Sequence, residues 1–195
     1  MPPSQGGGPA GERGQPMAGD GAPGSGQGRF AGKKPGRLPS WVPPLIYVAI
    51  GLILAIRGTF AAEVAGCQVE IGASGAMAAA AVVDAVGGTA RQAGDAAAIS
   101  FQNTMGTVCD LLHGTVEIPC HTRNGAAAAA AFVNADLVLG GYPNPIPLDE
   151  TIDAVYAVGR AMPSELRCTS KGGLAATPSA KALKPGGCSG CSTCP

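Results

Sequence analysis

Three cysteines set the terms for any fold this chain can adopt. Cys67 lies in GCQVEIGASGAM, while Cys109 and Cys120 bracket CDLLHGTVEIPC, ten residues of chain between them. Thiolates are soft ligands, and three of them gathered by a fold suit an iron–sulfur cluster or zinc. Taken singly, each is as readily a small buried hydrophobe, because free cysteine is often interior. Position favours the ligand reading. Cys67 and Cys109 stand in glycine-containing stretches, and Cys120 follows Pro119 just ahead of an expected helix. No fourth cysteine is counted into the set, which predicts a cluster with one iron lacking a protein ligand and open to an incoming oxygen.

Not all 195 residues are expected to fold. Residues 1–40 hold 12 glycines and 7 prolines, so 19 of 40 positions are Gly or Pro, far above the roughly 25–30% at which disorder is the default. The tract carries Arg13, Arg29, Lys33, Lys34 and Arg37 against Glu12 and Asp20, a net of +3 without interleaved aromatics. That pattern argues against a nucleic-acid partner. Residues 41–181 make about one domain, rich in alanine and glycine and poor in aromatics, and residues 182–195 form a flexible cysteine-rich tail. Seven cysteines is an odd count, which fits a reducing, cytoplasmic compartment and a metal better than a secreted disulfide framework. The run Leu45 to Ile56, LIYVAIGLILAI, has 12 apolar residues, against about 20 for a membrane span. It is expected as a central, buried helix, with a signal anchor as the weaker alternative.

The pattern predicts an all-α bundle of short Ala/Gly-packed helices with the cysteines in loops at their ends. The first helix runs from about Leu45 to Arg57. Gly66 to Gly75 reads as a loop, and Ala76 to Val86 as a helix stopped by Gly87-Gly88. Thr89 with Gln92 three residues on is a capping box opening a helix to about Asn103. Cys109 to Pro119 reads as a second loop. A helix from near Thr122 or Asn124 runs through the alanine block to Leu139. Asp149 is expected to cap the last long helix, whose Ile152, Val155, Tyr156 and Gly159 follow an i, i+3, i+4, i+7 stripe. Ser164 to Pro195 is expected to be mostly irregular.

Three segments in this order, EVAGCQVEIGASGAMAAAA, CDLLHGTVEIPCHTRN and IPLDETIDAVYAVGRAMPSELRCTSKGGLAATPSA, resemble the iron–sulfur-dependent L-serine dehydratase alpha chain, of the type with separate alpha and beta chains. The resemblance covers about Ile46 to Ala180, 135 of 195 residues. It implies a helical domain holding a [4Fe-4S] cluster through Cys67, Cys109 and Cys120, and deamination of L-serine to pyruvate and ammonia. It also implies a beta chain and a second alpha chain as partners. Asp110, Arg123 and Asn124, beside the ligands, are candidates for orienting the cluster or the substrate carboxylate, for which arginine is suited. The bland reading of Arg123 is a solvated residue at a helix start. His113 and His121 are candidate bases.

The chain departs from the family pattern in three places. Leu111 stands where a proline is usual, Cys168 where a glutamate is usual, and the Gly/Pro tract stands where the preceding half of an alpha chain is expected. The chain thus looks like the C-terminal half of an alpha chain. The tail CSGCSTCP places Cys188, Cys191 and Cys194 in a CxxCxxC run resembling part of a ferredoxin cluster motif. It carries three alternatives: an electron-transfer cluster or zinc held by the tail, closure of the open iron by a tail cysteine such as Cys194, and a thiol-rich tail without a role. An inactive fragment is the remaining reading for the whole chain.

Overall fold

The computed structural model describes residues 42–114 and 117–183. The Gly/Pro tract of residues 1–40 and Cys188, Cys191 and Cys194 lie outside the described residues. Within them the chain is all-α, as expected: α1 (Val42–Arg57), α2 (Ala62–Ala65), α3 (Ile71–Ala85), α4 (Ala90–Thr104), α5 (Glu117–Leu139), α6 (Leu148–Ala161) and α7 (Pro178–Ala182), joined by short 3-10 turns. One isolated parallel bridge, Cys109 to Arg167, is the sole strand-like pairing among the described residues.

The centre is α3, which packs against α1, α4 and α5. Its buried face is Ala73, Ala76, Ala79, Ala80 and Val83, which meets Ala93, Ala96, Ala97 and Phe101 of α4 and Ala131, Ala135 and Val138 of α5. Alanine keeps each helix thin, so the axes lie close and dispersion contacts run along the backbone itself. Glycine takes this further. A Cβ at Gly72 would stand 2.7 Å from Thr104 Oγ1, and one at Gly75 would stand 3.0 Å from Ser100 Oγ. These glycines were expected to break the chain into a loop from Gly66 to Gly75. Instead α3 starts at Ile71 and uses both as contact points. The helical entropy each costs, about 1 kcal/mol, is offset by the close approach it permits.

Helix α1 corrects a second expectation. It is a flank, not the centre. Ile50, Gly51 and Leu54 face inward, while Leu52 is 58% and Ile56 75% exposed, with Leu45 and Val48 also in solvent. A uniformly apolar run carries no signal for which face is buried. Arg57 at its end pairs through two nitrogens with the Asp153 carboxylate on α6. Among the described residues no helix is long and apolar enough to cross a membrane.

The capping box at Thr89 and Gln92 forms as expected. On α6 the N-cap is Pro147, not Asp149; Asp149 and Glu150 sit in the first turn, where the helix dipole favours negative charge. Ile152, Val155 and Gly159 are buried. At Gly159, α6 crosses α2 so closely that a Cβ would stand 2.6 Å from both the Cα and the carbonyl oxygen of Ala65.

Candidate functional site

Three separate backbone devices bring the cysteines to one place. Cys67 opens a 3-10 turn, Cys67–Val69, after Gly66, whose φ of 77° is left-handed. A Cβ at Gly66 would stand 2.9 Å from Thr107 O, so glycine is needed there for space as well as for conformation. The next residue, Gln68, is wholly buried. Its Nε2 donates to Ala65 O (2.8 Å), its Oε1 accepts from Gly106 N (2.9 Å), and its own N–H donates to Thr107 O (3.1 Å). The bonds to Gly106 and Thr107 staple the Cys67 turn to the segment entering Cys109, and the bond to Ala65 ties it back to α2.

Cys109 is fixed through its backbone. Its N–H donates to Leu166 O, and its carbonyl accepts from Cys168 N, both at 2.9 Å. Cys120 is placed by Pro119. Ile118 is extended (φ −123°, ψ 125°), as a residue before proline prefers, and the regular part of α5 begins at Pro119. That is earlier than the expected start at Thr122 or Asn124, and it turns Cys120 inward on the first helical turn.

The result is one packed apolar cluster of Ala62, Cys67, Ile71, Cys109, Leu111, Cys120 and Ala127, called the thiol pocket below. The three cysteines that the sequence grouped are all buried here. Cys168, which the sequence left outside the set, packs against the same pocket, and both Cys67 and Cys168 are near enough to act on the Cys109 thiol. The site therefore holds four thiols, not three. Burial pushes the Cys67 thiol up to about 11; a hydrogen bond with Cys109 and the charge of Arg123 pull the other way, while Cys120 and Glu70 add to the rise. Burial also raises Cys109, reinforced by Cys168 and Cys67. At neutral pH such thiols keep their protons, so a metal binding here must release them.

Asp110 and Arg123 come together at the edge of the pocket. Asp110 is buried, and its Oδ1 accepts from Arg123 Nη1 at 2.7 Å. The same nitrogen donates to Val108 O (2.9 Å), and Asp110 Oδ2 accepts from Leu174 N (2.8 Å). The turn Gly173–Ala176 presses on this carboxylate, with a Cβ at Gly173 standing 2.6 Å from Asp110 Cβ. Asp110 thus ties the Cys109 loop, α5 and the last segment to each other. Arg123 is 23% exposed, so the bland reading of a solvated helix-start residue does not hold. Asn124 is exposed and donates from Nδ2 to Cys120 O on its own helix (3.0 Å). His113, at φ 52° on the turn Leu112–Gly114, is joined by Nε2 to Ala180 O at 2.9 Å. His121 is exposed on α5. Sequence reasoning missed Gln68 and the glycine pair Gly172-Gly173 as site-builders. The glycine pair was a usable signal, since adjacent glycines after a cysteine mark a place where two backbones meet; Gln68 gave none.

Among the described residues no three His, Cys, Asp or Glu side chains are arranged as they would be around a single metal ion. An iron–sulfur group would ask first for soft thiolate donors. The donor set fits that demand. It is all soft sulfur, walled by apolar side chains that include the small Ala62 and Ala127, with the Arg123 cation near enough to act on Cys67.

Comparison with known proteins places residues 45–175 on the family model described as serine dehydratase alpha chain. The probable L-serine dehydratase alpha chain of Bacillus subtilis (strain 168) is 45% identical over 136 residues, 70% of this chain and 45% of that one. The L-serine dehydratase alpha chain of Peptoniphilus asaccharolyticus is 41% identical over 140 residues, 72% of this chain and 48% of that one. L-serine dehydratase 1 of Escherichia coli (strain K12) is 35% identical over 128 residues, 65% of this chain and 28% of that one. The chain spans about half the length of the alpha-chain relatives it matches.

Proposed function

The chain belongs to the serine dehydratase alpha-chain family, and from that premise we propose that it is the cluster-holding part of an L-serine ammonia-lyase. The observation that carries this reading is the gathering of Cys67, Cys109 and Cys120 into one buried apolar pocket with the Asp110–Arg123 pair at its edge. In this reading those three cysteines hold a [4Fe-4S] cluster. When bound, the cluster supplies a Lewis-acidic iron, which makes the hydroxyl of serine a better leaving group.

The remaining work falls to the chain's own residues. Arg123 is restrained through one nitrogen by Asp110 and Val108, and its planar fork is the group suited to a substrate carboxylate. Asp110 acts as a positioning residue, since both its oxygens are used to hold Arg123 and the Gly173–Ala176 turn. Of the two histidines, His113 is the better base. Its Nε2–H is directed at Ala180 O, which leaves Nδ1 as the proton acceptor. Asn124 contributes by holding the first turn of α5 behind Cys120. A beta chain and a second alpha chain complete the assembly, in the cytoplasm, in amino-acid degradation.

Anaerobic reconstitution tests this. The expected content is about four irons and four acid-labile sulfides per chain, lost in Cys109→Ser. Pyruvate should form from L-serine once a beta chain is supplied. A parent chain that takes up no iron and sulfide overturns the reading.

A further inference from the structure

Four thiols line the pocket where three are needed to leave one iron open, and the fourth is held in place by the fold. Cys168 N–H donates to the carbonyl of Cys109 (2.9 Å), and the adjacent Arg167 bridges Cys109 in parallel. The Cys168 side chain packs on the apolar cluster of Cys67, Cys109 and Cys120. Its φ of 62° is left-handed, a conformation that a residue with a Cβ keeps only where its surroundings over-determine it. Here the surroundings are the backbone bond to Cys109 on one side and the Gly172-Gly173 turn on the other, where a Cβ at Gly172 would stand 2.8 Å from Glu165 O. The strain is therefore spent on keeping a thiol at the wall of the pocket. Among the described residues the cysteines are these four, Cys67, Cys109, Cys120 and Cys168.

We propose that Cys168 is the fourth sulfur ligand of the cluster in the resting chain, an internal cap on the iron that the other three cysteines leave without a protein ligand. This rests on the reading that Cys67, Cys109 and Cys120 hold a [4Fe-4S] group. The exchange involves no change of oxidation state. The Cys168 thiol gives its proton to solvent as its sulfur binds, and a substrate hydroxyl that takes its place leaves a thiolate that recovers a proton. Cys168 lies outside the helices, so an exchange at its sulfur asks for no movement of α3, α4 or α5.

The test is the ligation of the reconstituted full-length chain, read without any turnover. Mössbauer spectra of the iron-57-loaded parent are expected to show no distinct fourth iron, and ferricyanide is expected to convert little of the cluster to the three-iron form seen by EPR. Cys168→Ala should keep its iron and sulfide, show one distinct iron, and yield several-fold more of the three-iron signal. Adding L-serine to the parent should create the distinct iron. A parent that already shows a distinct iron and loses it as readily as Cys168→Ala overturns the cap while leaving the cluster reading intact. Protection that survives Cys168→Ala but disappears in Cys194→Ala assigns the cap to the tail and also overturns it. A parent with no iron overturns both readings, and iron content alone separates that case. Should Cys168→Ala fail to fold by circular dichroism, Cys194→Ala decides in its place: a distinct iron appearing there overturns the cap, and its absence supports Cys168.

Discussion

The helical core and the thiol pocket lie side by side in this chain and are built on opposite rules. The core of α3, α4 and α5 is made of side chains that are almost absent. Alanines and glycines let backbones touch, and the buried polar groups among them are few, Ser100 and Asn134. The pocket is made of directed bonds. Gln68 spends its whole amide, Asp110 spends both carboxylate oxygens, and Cys109 is held by N–H and carbonyl together. The core is therefore sensitive to added atoms and the pocket to removed ones. Two kinds of damage should separate them.

The largest effect is expected where the core has no room. Gly159→Ala puts a methyl group against the backbone of Ala65, where neither neighbour is the end of a movable side chain, and should destabilise by about 3 kcal/mol, the upper range for overpacking. Thermal or urea unfolding checks it, and an unchanged midpoint would show that the α2–α6 crossing yields and the core is not tight. Asp110→Ala comes next, at about 2 kcal/mol, because it strands the partly exposed Arg123 and the N–H of Leu174. Its damage should be local. Hydrogen exchange is expected to speed up in residues 164–176 while α3 and α4 keep their protection. Equal loss in all three would mean that pocket and core are one cooperative unit, and the contrast would fail. Thr89→Ala removes the capping box of α4 and should cost about 1 kcal/mol, with iron uptake unchanged.

The smallest effect is expected at the surface. Arg57 holds the Asp153 carboxyl below its ordinary value. The unfolded state therefore binds the proton first as pH falls. The bridge contributes above the ordinary carboxylate range and is lost as pH drops through the lowered value. Asp153→Asn should soften only this acid limb of a stability–pH profile, and a change at neutral iron uptake would tie α1 to the pocket after all.

The same contrast explains what the sequence revealed. Core elements announce themselves by period and punctuation: Thr89 and Gln92 gave the start of α4, and Ile152, Val155 and Gly159 gave the face of α6. Where a glycine served contact rather than a break, at Gly72 and Gly75, the local signal pointed the wrong way, because the partner atoms on Ser100, Phe101 and Thr104 are distant in sequence. The apolar run of α1 hid its orientation for want of any polar residue to mark the outside. In the pocket, residue chemistry identified Cys67, Cys109 and Cys120. It paired neither Asp110 with Arg123, 13 residues on and reached only by the path of the intervening loop, nor Cys168 with Cys109, a meeting that depends on the last segment folding back across 168 − 109 = 59 residues. Residue type was legible there; bond partners were not.

A core of alanine also shapes how this domain answers to temperature. Alanine has no rotamers to freeze, so ordering α3 and α4 sacrifices little side-chain freedom. It also hides little hydrocarbon per residue, so unfolding hydrates little. The heat-capacity increment should fall below the roughly 12–15 cal/mol/K per residue of ordinary globular domains. A smaller increment flattens the dome of stability against temperature, and a domain built this way holds a nearly constant margin from cold to warm in place of a tall maximum at one temperature.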